Sequence, residues 1–114
     1  MFSFLKQEKQ ENQKVRRISQ IEAKRLMDTR QDILIIDVRS KEEYHSGHIK
    51  GAKLLPVDQI HENNLSLLPD KNQMILIYCH SGGRSSMAAS KLVRLGYHNV
   101  YDFGGVMNWP HQLV

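Results

Sequence analysis

A short, uninterrupted apolar run stands directly before a glycine-containing loop and a stretch with helical spacing. The run covers residues 74–78, and its length and β-rich composition predict a strand buried on both faces of a parallel sheet. Between Ser85 and Leu95 the apolar residues recur with helical spacing, and Gly96 is placed to end that helix. A buried strand that leads straight into a helix indicates an α/β fold.

The same alternation of strands and helices continues through the rest of the chain. Capping-box patterns at residues 19–22 and 40–43 predict helices that end near Thr29 and His45. The remaining predicted elements are strands at Ile33–Asp37, 53–55 and 99–102, a helix at 57–62, a turn at 65–68, and a final turn or short helix after Gly105. We therefore predict one α/β domain with a small, mostly parallel sheet and helices on both faces.

The only cysteine, Cys79, comes directly after the buried apolar run. It should lie at the carboxyl end of a strand and before a helix N-terminus, where open α/β sheets bind ligands. The unpaired N–H groups of that helix suit an anion, and the same field favours a thiolate over a thiol. A small buried apolar cysteine is the alternative. The predicted anion-binding residues are His80, Ser81, Gly82, Gly83, Arg84 and Ser85.

Four sequence motifs occur in an order that resembles the rhodanese family. They read CHSGGR at 79–84, DVR at 37–39, EYHSGHIKGA at 43–52 and FGGVMNW at 103–109. The resemblance runs from about Ile18 to Trp109, and it implies a single rhodanese-like domain. Four residues separate Cys79 from Arg84, whereas the related phosphatases and arsenate reductases have five. The shorter loop is typical of a pocket for sulfur transfer.

The resemblance implies a sulfurtransferase that works through a persulfide on Cys79 and needs no cofactor. A donor such as thiosulfate would supply the sulfur, while Arg84 and His80 would hold the leaving group. Because the chain has one cysteine, the acceptor would be an external thiol, cyanide or a sulfur-relay protein. The alternatives are a persulfide carrier, a partner-binding rhodanese-like module, or an enzyme similar to phosphatases or arsenate reductases. The missing second thiol disfavours an arsenate-reductase cycle.

Several residues within the motifs are further candidates for a role in the site. Asp37 should share the sheet edge with Cys79, where it either biases the electrostatics of the loop or caps the following turn. Arg39 and Glu43 are four residues apart, and this spacing predicts an ion pair. His45 and His48 lack further ligands nearby, so we predict no metal site.

Charge separates the first seventeen residues from the rest of the chain. Residues 1–17 carry a net charge of +3 and lack a clear apolar stripe, which predicts a basic polar arm before a domain at 18–114. The domain itself is nearly neutral at +1, which argues against a nucleic-acid partner. We expect no transmembrane segment or signal peptide, because no apolar stretch is long enough. Together with the single cysteine, this favours a cytoplasmic protein.

Overall fold

The computed structural model describes residues 14–114, which form a five-stranded sheet. The strands are β1 (Arg16–Arg17), β2 (Ile33–Asp37), β3 (Lys53–Leu54), β4 (Met74–Cys79) and β5 (Val100–Gly105). Their order across the sheet is β1-β5-β4-β2-β3, and every pairing is parallel. The predicted parallel sheet is therefore confirmed, with β4 at its centre.

Between and after these strands, residues 14–114 form three α-helices and two short 3₁₀ helices. The α-helices are α1 (Gln20–Thr29), α2 (Lys41–Ser46) and α3 (Gly83–Arg94), and the 3₁₀ helices cover Val57–Gln59 and Val106–Asn108. Both predicted caps are present, because Ser19 accepts from the N–H of Glu22 and Ser40 forms a complete capping box with Glu43. None of the helices within residues 14–114 has the length and apolar character needed to cross a membrane.

Successive side chains of β4 point to opposite faces of the sheet and enter two separate cores. Ile75, Ile77 and Cys79 join the core on the side of α3. Leu76 and Tyr78 join the core on the side of α1. Both faces of β4 are covered. This is why the sequence of the strand is a continuous apolar run without the polar residues of a solvent-facing side. The prediction of helices on both faces is confirmed.

The edge strand β1 differs from the sequence-based description of the N-terminus. Arg16 and Arg17 pair with Tyr101 and Asp102 of β5, although the sequence had assigned them to a polar arm. Their side chains are exposed, so no apolar alternation marks the strand. Residues 1–13 of the predicted arm lie outside the described residues.

Two other elements depart from their predicted lengths. The helix predicted at 57–62 is only one 3₁₀ turn, Val57–Gln59, after which Ile60 turns extended and its side chain enters the core. Strand β5 continues to Gly105 instead of ending at 102. Gly104 and Gly105 therefore belong to the sheet, directly beside the end of β4, where Cys79 pairs with Gly105.

Candidate active site

Cys79 is the last residue of β4, and its side chain is only 1% exposed. The backbone N–H of Gly82 donates to its Sγ atom at a distance of 3.0 Å. Helix α3 begins one residue later, and the N–H groups of a first helical turn have no partner within the helix. The thiol therefore lies at a helix N-terminus, as the sequence predicted, but it is covered rather than exposed.

The loop after Cys79 depends on glycine at two positions. Gly82 has a φ of +112°, in the left-handed region that other residues rarely adopt. Gly105 lies under the loop, and a Cβ atom at this position would stand 1.9 Å from the carbonyl oxygen of His80. That same oxygen accepts from the N–H of Met107 at 3.1 Å. The end of β5 is thus the surface on which the loop rests.

Arg84 forms a two-pronged ion pair with Glu43 of α2. The Nη1–Oε1 distance is 2.6 Å, and the Nη2–Oε2 distance is 2.9 Å. The hydrogen bond from Arg84 is the main cause that lowers the pKa of Glu43 to about 2, and the same bond raises the pKa of Arg84. The predicted pair between Arg39 and Glu43 is wrong, since Glu43 points toward the loop.

Arg39 instead binds Asp37 in a buried network behind the loop. The Asp37 carboxylate accepts from the backbone N–H of Arg39 at 2.9 Å and from its Nη2 at 2.7 Å. It also accepts from the hydroxyl of Tyr78 at 2.7 Å, and that hydroxyl accepts from the N–H of Ile49. Burial raises the pKa of Tyr78 above its ordinary value. Asp37 therefore caps the turn after β2 and links it to β4.

The hydroxyl of Ser85 is engaged by β5 and by the loop backbone, whereas the sequence assigned this residue to the anion cradle through its backbone N–H group. Its Oγ atom lies 2.8 Å from Oδ1 of Asp102 and 3.1 Å from the carbonyl oxygen of Gly82, and the residue is fully buried. Only its backbone N–H, in the first turn of α3, remains available for the predicted role.

A cavity of about 400 Å³ opens beside the loop. Its lining includes the polar side chains of Arg39, Glu43 and His80, and the apolar side chains of Val106, Met107 and Leu113. His80 is exposed, as are Ser81 and Gly83 on the outer side of the loop. The cavity therefore offers a mixed polar and apolar approach to the residues around Cys79.

The two histidines of the EYHSGHIKGA motif make contacts of their own. The ring of His48 stacks on Tyr44, with centroids 3.8 Å apart, and its Nδ1 atom lies 2.9 Å from the Tyr44 carbonyl oxygen. His45 packs edge-on against the same tyrosine. Within residues 14–114, no group of three or more His, Cys, Asp or Glu side chains is arranged to hold a metal ion.

Four residues of the site were not found as such by sequence reasoning. Glu43, Asp102 and Gly105 contact the loop from other parts of the chain, and Tyr78, which directly precedes Cys79, binds the distant Asp37. A tyrosine inside an otherwise aliphatic central strand was a usable signal, because a buried hydroxyl needs a partner. Glu43 had been assigned to the nearest opposite charge, whereas tertiary contact joins it to Arg84.

Comparison with known proteins gives one consistent family. A family model described as "Rhodanese-like domain" matches residues 19–112. The chain is 37% identical over 95 residues to thiosulfate sulfurtransferase GlpE of Coxiella burnetii, covering 82% of this chain and 86% of that protein. It is 34% identical over 87 residues to the putative sulfur carrier protein YrkF of Bacillus subtilis, covering 75% of this chain and 46% of that protein.

A solved structure shares the fold over most of the chain. The rhodanese-like domain protein of Staphylococcus aureus superposes with a TM-score of 0.76 at 33% sequence identity. The match covers 87% of this chain and 96% of that chain. The fold of residues 14–114 is therefore one that solved members of this family adopt.

Proposed function

The chain belongs to the rhodanese-like domain family, and from this premise we propose that it is a sulfurtransferase that carries sulfane sulfur on Cys79. One observation carries the proposal: the N–H of Gly82 points at the Cys79 sulfur at the N-terminus of α3. A sulfur that holds negative charge, whether thiolate or persulfide, is stabilised by such a donor. The name of the Coxiella burnetii relative, thiosulfate sulfurtransferase, supports the same reaction.

The first half of the reaction loads the cysteine. The Cys79 thiolate attacks the outer sulfur of a donor such as thiosulfate, and a new S–S bond forms while the donor's S–S bond breaks. The electron pair of the broken bond leaves with sulfite, and Cys79 is left as a persulfide anion. The proposed holders of the leaving group are His80 and the backbone N–H groups from Gly83 to Ser85, because the first turn of a helix suits an anion.

The ion pair with Glu43 limits how Arg84 can bind the donor anion. Glu43 occupies the guanidinium fork that the donor anion was expected to use. A sulfonate or sulfite group must therefore compete with a carboxylate for Arg84, whereas the backbone N–H groups of the helix start carry no such competitor. We assign Arg84 first to holding the loop against α2, and second to the anion when Glu43 gives way.

The second half of the reaction needs a nucleophile from another molecule, because this chain holds one cysteine. Cyanide or a thiol attacks the outer sulfur of the persulfide, takes it, and regenerates the Cys79 thiolate. The cavity of about 400 Å³ beside His80 is the approach route that we propose for this acceptor. Since the thiol is 1% exposed, the side chains around the loop must move to admit either reactant.

The proposed partners follow from this chemistry. They are a small sulfur donor, a thiol or cyanide acceptor, and a sulfur-relay protein as the physiological alternative to a free thiol. The proposed location is the cytoplasm, because a single reactive thiol suits a reducing compartment. Fractionation of cells that express a tagged chain tests the location directly, and recovery in an oxidising compartment would overturn it.

Mass spectrometry of the intact protein tests the reaction. After treatment with thiosulfate, the wild-type chain should gain one sulfur, peptide mapping should place it on Cys79, and cyanide should remove it. The Cys79→Ser variant, shown to be folded by circular dichroism, should gain none. A folded wild-type chain with a free thiol that no sulfur donor loads would contradict the proposal.

A sulfur carrier is the second candidate function. It is favoured by the buried thiol, which slows free small donors, and by the similarity to the putative sulfur carrier of Bacillus subtilis. Thiosulfate turnover should be compared with sulfur uptake from a cysteine desulfurase. Rapid uptake from the desulfurase without thiosulfate turnover would assign the carrier role. Turnover of an aryl phosphate by the wild type, lost in Cys79→Ser, would instead assign a phosphatase.

A further inference from the structure

We propose that Asp102 is a positioning residue for the active loop, that it acts through Ser85 on Gly82, and that Arg17 of the edge strand secures it. Asp102 lies in β5 and is 2% exposed, and it does not contact the thiol. The inference deepens the proposed function, because it concerns how the Cys79 sulfur is held. Its test measures the thiol itself and does not require sulfur transfer to occur.

Ser85 links Asp102 to Gly82 of the loop. Its hydroxyl has one hydrogen but three oxygen atoms around it: Asp102 Oδ1 at 2.8 Å, the Gly82 carbonyl at 3.1 Å and the Gly104 carbonyl at 3.4 Å. The carboxylate is the nearest and strongest acceptor. Removing it would release the hydroxyl to the carbonyl oxygens and change the position of Gly82.

Asp102 also holds the strand on which the loop rests. Its Oδ1 atom accepts from the N–H of Gly104 at 2.9 Å, and Gly104 has a φ of +90°. A Cβ atom on Gly82 would lie 3.8 Å from the Cα atom of Gly104, so these two backbone segments run close to one another. One carboxylate therefore fixes both segments that flank the loop.

The position of Gly82 matters because its N–H is the donor to the Cys79 sulfur. A hydrogen bond to the charged form of a group favours that form, and the effect depends on direction and distance. A small displacement of the Gly82 peptide therefore weakens the hydrogen bond that stabilises negative charge on this sulfur. Arg84, the charged side chain of the same loop, is paired with Glu43.

Arg17 supplies the positive charge that a buried carboxylate needs. Its Nη1 atom lies 3.2 Å from Asp102 Oδ2, and its Nη2 atom donates to Ser86 Oγ in α3 at 3.0 Å. The Arg17 side chain is 68% exposed, whereas that of Asp102 is 1% exposed. Strand β1 thus reaches the active loop through a single ion pair, although it lies at the edge of the sheet.

The test is the rate at which iodoacetamide alkylates Cys79 in the purified chain at neutral pH. In Ser85→Ala this rate should fall roughly tenfold, the effect of losing one hydrogen bond of ordinary strength. Asp102→Ala should behave in the same direction. Asp102→Asn keeps an acceptor oxygen for Gly104 and Ser85 but loses the ion pair with Arg17, so its rate should lie between those of Asp102→Ala and the wild type.

Arg17→Ala changes a side chain that is itself exposed, and circular dichroism establishes that the variant is folded. It should slow alkylation, while the matched variant Arg16→Ala, which removes the neighbouring charge that binds Tyr101 and Asn99, should not. Folded Ser85→Ala and Arg17→Ala chains that are alkylated at the wild-type rate would overturn the inference. Slower alkylation of these variants, in a chain that never forms a persulfide, would leave the inference intact and overturn the proposed function instead.

Discussion

The ion pair between Arg84 and Glu43 has a pH dependence that can be derived from its geometry. The pKa of Glu43 is about 2 in the folded protein, against an ordinary value of 4.5. A carboxyl whose pKa is lowered by folding adds stability above its unfolded value, and this stability is lost as the pH falls from about 4.5 toward about 2. The pair therefore strengthens the attachment of the loop to α2 at pH values above about 4.5 and ceases to do so as the pH approaches 2.

We expect Glu43→Gln to lower the free energy of unfolding at neutral pH by about 1 kcal/mol or less, because both side chains are roughly one-third exposed and solvent screens the pair. The difference from wild type should disappear as the pH approaches 2. Urea unfolding of both chains across this range measures it. A difference that stays constant down to the lowest pH would show that Glu43 does not act through its charge.

The active loop passes so close to Gly105 that this position has no room for a side chain. In Gly105→Ala the new Cβ atom meets backbone at 1.9 Å, and backbone yields less easily than a flexible side chain. We expect a loss of about 1–3 kcal/mol in the free energy of unfolding, the usual range for overpacking. The displaced His80 carbonyl should also slow persulfide formation on Cys79.

The matched control for that variant is Gly96→Ala. Gly96 also has a positive φ, of +99°, but a Cβ atom there would meet nothing within 4 Å. The substitution should cost about 1–2 kcal/mol from backbone strain and leave the rate of persulfide formation unchanged. Equal loading rates in the two variants would show that the contact between Gly105 and the loop has no functional role.

At the scale of elements, α2 combines a local signal with a tertiary role. Ser40 accepts from the N–H of Glu43, and Oε1 of Glu43 accepts from the N–H of Ser40 while it also binds Arg84. The N-cap thus fixes the side chain that holds the active loop. Helix α1 has a similar cap at Ser19, where Glu22 pairs with Arg25 on the surface instead.

Ser40→Ala and Ser19→Ala form a matched pair of cap deletions. Each should lower the free energy of unfolding by about 1 kcal/mol. Only Ser40→Ala should slow sulfur loading of Cys79, several-fold, because only that cap orients the partner of Arg84. Thermal unfolding and loading rates measured on the same samples separate the two effects. Identical loading rates in the two variants would show that the Ser40 cap stabilises its helix and has no effect on sulfur loading.

The elements that the sequence predicted well are those whose signals are local. The capping boxes, the apolar run of β4 and the loop from Cys79 to Arg84 each lie within a few consecutive residues. Strand β1 was missed because it is two exposed arginines, which become a strand only by pairing with β5. The extension of β5 through Gly104 was missed because glycines normally indicate a turn.

At the scale of the whole molecule, the sheet separates the two cores and brings the support of the site together at one edge. The contacts that join Arg84 to Glu43, Ser85 to Asp102 and Tyr78 to Asp37 span many residues of sequence. Spacing rules relate only residues three or four apart, so they paired Glu43 with Arg39. The position of the loop between β4 and α3 was therefore predictable, whereas its supports needed the register of the parallel strands.

The buried hydroxyl of Tyr78 provides one of these long-range contacts, and removing it measures how much the contact stabilises the fold. It donates to Asp37 at 2.7 Å and accepts from the N–H of Ile49 at 3.1 Å, so it joins β4 to β2 and to the segment after α2. In Tyr78→Phe both partners lose a bond inside the protein. We expect the free energy of unfolding to fall by about 2–3 kcal/mol, the cost of buried polar groups left unpaired.

Tyr97→Phe is the matched control on the opposite face of the sheet. Tyr97 is equally buried, but its hydroxyl makes one hydrogen bond, to the carbonyl oxygen of Leu68 at 2.6 Å. Its loss should cost about 1 kcal/mol, because a carbonyl oxygen tolerates a missing donor better than a buried carboxylate and an N–H group do. Urea unfolding gives both values. Equal losses would mean that Arg39 alone satisfies Asp37, and that the link from β4 adds no stability of its own.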